Sequence, residues 1–230
     1  DFAGFTSMSE KLEPAEAVRI LNEYHSVAVE EILAADGTWN KFIGDAVMAF
    51  WGEPVRQPDH AARACRAALA IQRRIGSMAD RFAGLRARIG LNTGPMIVGN
   101  MGSATYMDYT VVGDEVNLAS RLEGVNKMFG TPILISDSTR EAAGDTVHVR
   151  GLGAIRVVGR VSPVEIFELL DAPPPADRFA EGLAAFRAGD WARAREAFAS
   201  VGDKASAYLA NRCAGAPPPD WDGVATIAEK

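Results

Sequence analysis

Asp45 sits between two strongly apolar runs, Thr38 to Ile43 and Ala46 to Trp51, with Gly44 before it. The Gly44-Asp45 pair predicts a tight turn, and the flanking aromatic and β-branched residues predict a two-stranded antiparallel hairpin. An isolated Gly-Asp pair would do no more than make the turn. An ionised carboxylate amid so much apolar sequence is costly unless something binds it, so a cation at the hairpin tip is the chemical alternative. Asp1 is a second candidate. If Asp1 ends a strand and the following helix returns the chain parallel to it, as a right-handed crossover does, Asp1 and Asp45 reach the same side of the sheet. With the backbone of Gly4, Phe5 and Thr6 nearby, two converging carboxylates make a hard, oxygen-lined site that suits magnesium and a polyphosphate. Two ions roughly 3.5 to 4 Å apart could clamp the attacking and leaving oxygens of an in-line displacement. Spacing alone also allows two unrelated surface acids.

A further candidate pair lies in the run Tyr109 to Glu123. Asn117 and Arg121, one helical turn apart, share a face if this run is a helix. An amide and a guanidinium aligned in this way can orient a sugar and neutralise a phosphoryl transition state. Without a partner opposite them they are a solvated helix face.

The elements that must carry these residues are legible in outline. Pro14 to Ala34 predicts a helix, with Pro14 in its first turn, Val18, Ile20, Leu21, Tyr24, Val27 and Ile32 at helical spacing, and Gly37 beyond its end. The hairpin follows. Asp59 is the expected N-cap of an Ala-rich helix from His60 to about Ile75. Arg86 to Asn92 and Met96 to Val98 predict a strand pair turned at Thr93-Gly94-Pro95. A helix is expected from Asp114 to Met128, closed by Gly130, then a strand from Pro132 to Ser136 and a short helix from Ser138 to Ala143. Val147 to Leu169 predicts two or three strands, turned at Gly151-Leu152-Gly153 and at Arg160 to Pro163. The interleaving of helices and strands, with hairpins among them, predicts an α+β sheet with helices on one face. Pro173-Pro174-Pro175 marks a linker. Phe179 to Ala199 and Ala205 to Cys213 predict a helical pair, and the sequence around Trp191 resembles a single tetratricopeptide-type hairpin, in the role of a small cap or interaction module.

The 230 residues are 48% hydrophobic, ample for a packed core, and carry a net charge of -6. That balance argues against a general nucleic-acid binder. Cys65 and Cys213 are too far apart to suggest a disulfide framework or a zinc site, so a reducing, cytoplasmic setting is the expectation. No run approaches the length of a membrane span. The chain opens at Asp1 without Met, and the expectation is a fragment whose upstream sensor or membrane region lies outside it.

Asp1 to Thr6, Lys41 to Asp45, Thr93-Gly94 and Tyr109 to Glu123 together resemble, in order and spacing, the class III nucleotide cyclase catalytic domain. The resemblance covers about residues 1–170. It implies a ferredoxin-like (βαββαβ) sheet core in a catalytic domain at 1–171, followed by a Pro-rich linker at 172–178 and the helical tail at 179–230. It also implies a head-to-tail homodimer that converts a nucleoside triphosphate to its 3',5'-cyclic monophosphate and pyrophosphate. Asp1 and Asp45 would bind two Mg2+ or Mn2+ ions per site, with the Phe2 carbonyl adding a ligand. The backbone of Gly4, Phe5 and Thr6 would hold the phosphates, and Asn117 and Arg121 would act from the partner subunit. Lys41 and Thr110 match the family's base-reading positions. Lysine can donate to adenine N1 and the threonine hydroxyl can accept from the adenine amino group, so ATP is the expected substrate. Threonine here resembles the subgroup that includes soluble, bicarbonate-responsive adenylate cyclases. Val158 departs from the family pattern, which has a phosphate-binding lysine there. Arg156 and Arg160 are the candidates to replace it.

Overall fold

Phe2 is the anchor of the N-terminal half. Fully buried, it stacks on Tyr24 with ring centroids 4.1 Å apart and meets Phe82 edge-on at 5.5 Å. The computed structural model describes residues 1–82 and 84–227. β1 (Phe2–Ala3) pairs antiparallel with β4 (Arg86–Ala87), and Gly4, at φ 85°, turns the chain into the short α1 (Phe5–Ser9). α2 (Pro14–Ala34) begins at Pro14 as expected and buries Ala17, Ile20, Tyr24, Val27, Ala28 and Ile32. Val18 does not belong to that stripe; it is exposed, lying on the far side of the helix from Ile20 and Tyr24.

The hairpin is β2 (Thr38–Ile43) and β3 (Ala46–Phe50), turned at Gly44-Asp45 with Gly44 at φ 63°. Its ladder slips between Trp39 and Lys41, where Trp39 faces Ala49 and Lys41 faces Met48, leaving Asn40 as a bulge. Trp51 fixes the hairpin to α2. Its Nε1 donates to the Ala35 carbonyl at 3.1 Å, and its ring lies where a side chain on Gly37 would be. No ladder joins β1 to the hairpin among the described residues, contrary to the expected parallel return. Apolar packing brings them together instead, with Phe2, Tyr24, Val47 and Ala49 in one cluster.

α3 (His60–Ser77) is Ala-rich on its buried face. Asp59 stands at its N-cap position, but its carboxylate takes the Arg63 Nε at 2.7 Å rather than a backbone N–H. β5 (Ile89–Leu91) and β6 (Ile97–Gly102) are not the predicted pair. β6 pairs with β7 (Met107–Val112), and β5 joins the main sheet. The run before α4 (Asp114–Phe129) is therefore a strand, in a ribbon whose Ile97, Tyr106, Met107 and Val112 stand in solvent. Only Val111 is buried, and with the other apolar side chains on both faces open to solvent no clean apolar alternation marks the strand in the sequence.

The main sheet has the order β11-β9-β10-β8-β5 and is mixed. β8 (Ile133–Ser136) leads into α5 (Asp137–Ala143), capped by the Ser136 hydroxyl, and a 3-10 turn precedes β9 (His148–Arg156) and β10 (Val164–Leu170). Gly151-Leu152-Gly153 is a bulge within β9, not a turn. Ile166 faces Gly153 and Phe167 faces Gly151, so the extra residue, Leu152, drops into the core. The α+β class holds, but helices cover both faces of the sheet. Ile133 and Ile135 pack with α3, while Leu134 between them packs with α4, as strand alternation requires.

The tail is α6 (Phe179–Arg187), α7 (Trp191–Val201), α8 (Lys204–Arg212) and β11 (Val224–Thr226), so it has three helices and a strand where a helical pair was expected. β11 adds to β9 in parallel. One apolar cluster unites Phe129 of α4, Leu152 and Ile155 of β9, and Phe186 and Phe198 of the tail. Residues 228–230 of the expected tail lie outside the described residues.

Candidate active site

The two ribbons, the helices α2, α3 and α4, and β5 line an open cleft of about 1610 Å³, whose lining includes Asp1, Lys41, Arg88, Thr110, Asn117 and Glu123. Each comes from a different local device. Asp1 precedes the anchored Phe2, and the Arg88 amide donates to its carbonyl at 2.9 Å. Asn117 is placed by the approach of α4 to β5. A Cβ on Gly90 would lie 2.2 Å from the Ala119 carbonyl and 2.4 Å from the Glu123 nitrogen, so only glycine lets the helix settle there.

Arg88 holds the acidic floor of the cleft together. Its guanidinium bonds the Asp1 carboxylate and also donates from Nε to Glu123 at 2.9 Å. No motif in the sequence marks this residue. A single arginine in a short strand carries no pattern of its own; the signal was that it sits between core residues Ala87 and Ile89 and so must point to the opposite face. Asp45 shares this environment although it does not line the cleft. Burial raises the Tyr24 phenol well above its usual range, with Asp45 and Glu123 adding to the shift and Arg88 opposing it. His25, stacked on Phe42 at 3.9 Å, is held below its usual range by burial, with Asp45 acting in the opposite direction.

Hard oxygen donors at Asp1, Asp45 and the Phe2 carbonyl fit magnesium, which binds one or two carboxylates and completes its shell with water and phosphate oxygens. Among the described residues, no cluster of three or more His, Cys, Asp or Glu side chains forms a self-sufficient cage. The Phe2 side chain is core, which leaves only its backbone for a ligand. Gly4 and Thr6 are exposed and Phe5 is half-buried at the start of α1.

Lys41 lies 3.5 Å from Asp108 of β7. Its neighbour Asn40 donates to the Tyr109 carbonyl at 2.7 Å and accepts from the Thr110 hydroxyl at 2.9 Å. These contacts tie the β2–β3 and β6–β7 ribbons together beside Lys41 and Thr110. On α4, Arg121 turns toward Gly159, and its buried Nη1, 3.7 Å from Asp114, has no hydrogen-bond partner among the described residues. Val158 is exposed. Arg160 grips Glu115 through two bonds of 2.9 and 3.2 Å, which hold the Glu115 carboxyl below its usual range, while Arg156 is committed to Asp222 of the tail.

This fold and this set of residues are those of a nucleotide cyclase domain. Residues 1–170 match the family described as the adenylate and guanylate cyclase catalytic domain, and the chain belongs to that family. Among curated relatives it is 40% identical over 190 residues to adenylate cyclase 1 of Rhizobium meliloti (strain 1021), covering 80% of this chain and 29% of the relative. The terminal-differentiation specific adenylate cyclase of Dictyostelium discoideum is 34% identical over 177 residues, 74% of this chain and 8% of the relative. The chain thus spans less than a third of either relative. Among solved structures, the adenylyl cyclase CyaB of P. aeruginosa superposes with a TM-score of 0.70 at 36% identity, covering 75% of this chain and 91% of that one. The guanylyl cyclase Cya2 does so at 0.68 and 36%, covering 76% and 91%. No described helix is long and apolar enough to cross a membrane.

Proposed function

We propose that this chain is the catalytic unit of an adenylate cyclase that works as a homodimer, with each site built from both copies. The supporting observation is a separation within one chain. Asp1, Lys41, Thr110 and Asn117 line one cleft, whereas Asp45, four residues from Lys41, and Arg121 are not among its lining residues. A second copy seated against the exposed ribbons would bring Lys41, Thr110, Asn117 and Arg121 of one protomer to Asp1 and Asp45 of the other.

In the reaction, the ribose 3'-oxygen forms a bond to the α-phosphorus, the bond to the pyrophosphate oxygen breaks, and the 3'-hydroxyl proton is lost. Asp1 and Asp45, with the Phe2 carbonyl, would hold two Mg2+ or Mn2+ ions, which activate the 3'-hydroxyl and offset triphosphate charge. Arg88, on the cleft floor beside Asp1 and Glu123, would bond phosphate oxygens. The first-turn amides of α1, which have no intrahelical acceptor, face the same anion. Asn117 orients the ribose and Arg121 neutralises charge in the transition state. Arg160 or Arg156 would replace the lysine missing at Val158, each on leaving the carboxylate it now bonds, Glu115 or Asp222. Lys41 and Thr110 select adenine and place the chain in the Lys/Thr subgroup, with bicarbonate response as a corollary. The helical tail serves as a buttress for α4 rather than as a repeat array.

Val158 favours one other reading, a silent nucleotide-binding module. Turnover of ATP and GTP by the purified chain with Mg2+ or Mn2+ separates the possibilities. Cyclic AMP from ATP, in at least tenfold preference over the GTP product, is expected. Nucleotide binding without product in either metal would establish the silent module, and preference for GTP would overturn the base assignment.

A further inference from the structure

Asn40 is the extra residue in the β2 bulge, and the bulge gives it a use. In a regular strand Asn40 and Lys41 would point to opposite faces. Here both reach β7, Lys41 to Asp108 and Asn40 to Tyr109 and Thr110. A bulge that re-aims one side chain beside a ligand-reading residue is a positioning device.

The hydrogen-bond chain has a single consistent direction. The Tyr109 carbonyl can only accept, so the Asn40 amide nitrogen must face it. The Asn40 carbonyl then faces the Thr110 hydroxyl, and because a carbonyl cannot donate, the hydroxyl must. The one proton of Thr110 is thereby committed to Asn40, and only its lone pairs remain for a ligand. Thr110 lines the cleft, and Asn40 is not among its lining residues.

We infer that Asn40 is a specificity-determining positioning residue that fixes the Thr110 hydroxyl as an acceptor and so makes an exocyclic amino donor on the base a requirement for good substrates. Without Asn40, the hydroxyl can rotate and serve either as donor or acceptor, and the threonine alone would read an amino or an oxo group with similar ease. With it, an oxo substituent meets lone pairs, and a base with no substituent leaves the acceptor unpaired. A site built to pair donor with acceptor rejects the mismatch because its polar group is left unsatisfied.

This inference rests on the adenine-selective reading of the cleft. Its test compares ATP with purine riboside 5'-triphosphate, which lacks only the 6-amino group, in equilibrium binding and, separately, in turnover. In the unaltered protein, loss of the amino group should weaken binding about tenfold, the size of one well-made hydrogen bond. In Asn40→Ala the penalty should shrink to about two- to threefold. Asn40→Asp, which keeps an acceptor for the Thr110 proton, should retain the larger penalty and guards against a folding defect in the alanine variant. A merely structural role would weaken both nucleotides equally; an unchanged ratio in Asn40→Ala overturns the inference. If ATP binds with the expected ratios but no cyclic product forms, the inference stands and the cyclase reading fails.

Discussion

Arg88 bears on two carboxylates at once, and that determines what its loss would do. Removing one partner from a part-buried ion pair leaves the others uncompensated, and here the others are Asp1 and Glu123. Arg88→Ala should therefore lower kcat/KM for ATP by about 100- to 1000-fold, the range for deleting a preorganised charge at a phosphoryl site. Steady-state kinetics of a variant with unchanged thermal stability is the check, and activity within a few-fold of the unaltered protein would remove Arg88 from the site. Residue types and spacing made Asp1, Asp45, Lys41, Thr110, Asn117 and Arg121 visible as candidates. They did not expose Arg88 or Asn40. Both owe their positions to contacts between residues distant in sequence, Arg88 to Asp1, 87 residues away, and Asn40 to Tyr109 and Thr110 of a ribbon whose pairing differs from the expected one.

Elements were legible where one face met a core and illegible where it did not. α2, the β2–β3 hairpin, α4 with its Gly130 stop and the β8 strand match the periodicity and punctuation that predicted them. The β6–β7 ribbon does not, because most of its apolar side chains other than the buried Val111 stand open to solvent, and Thr93-Gly94-Pro95 reads as a hairpin turn although it connects two sheets. The bulges at Asn40 and Leu152 were hidden for another reason. A bulge is a property of two strands in register, and either strand read alone looks regular. Gly90 shows how an element is placed by a missing side chain. Gly90→Ala sets a methyl against the backbone of α4, so it should destabilise the protein by about 1–3 kcal/mol and lower activity by moving Asn117. Urea unfolding measures the first effect. A midpoint equal to that of the unaltered protein would mean that α4 is not locked on β5 as described.

At the scale of the molecule, the apolar cluster under α4 continues without a break into α6, α7 and α8, and β11 extends the sheet edge. The proline-rich run suggested a boundary because composition changes there, whereas packing across it is set by Phe129, Leu152, Phe186 and Phe198, scattered over four elements. Within one chain Asp1 and Asn117 line one cleft while Asp45 and Arg121 are not among its lining residues, and in the proposed homodimer the acids of one copy would meet Asn117 and Arg121 of the other. Two variants, Asp45→Ala and Arg121→Ala, should each be inactive, at least 100-fold down in cyclic AMP formation. Mixed in equal amounts, they should recover up to about a quarter of the unaltered rate, since half of the random dimers would be mixed and each such dimer would hold one intact site. The expected result is recovery that rises with total protein concentration. Mixtures no more active than either variant alone, with dimers present, would contradict shared sites.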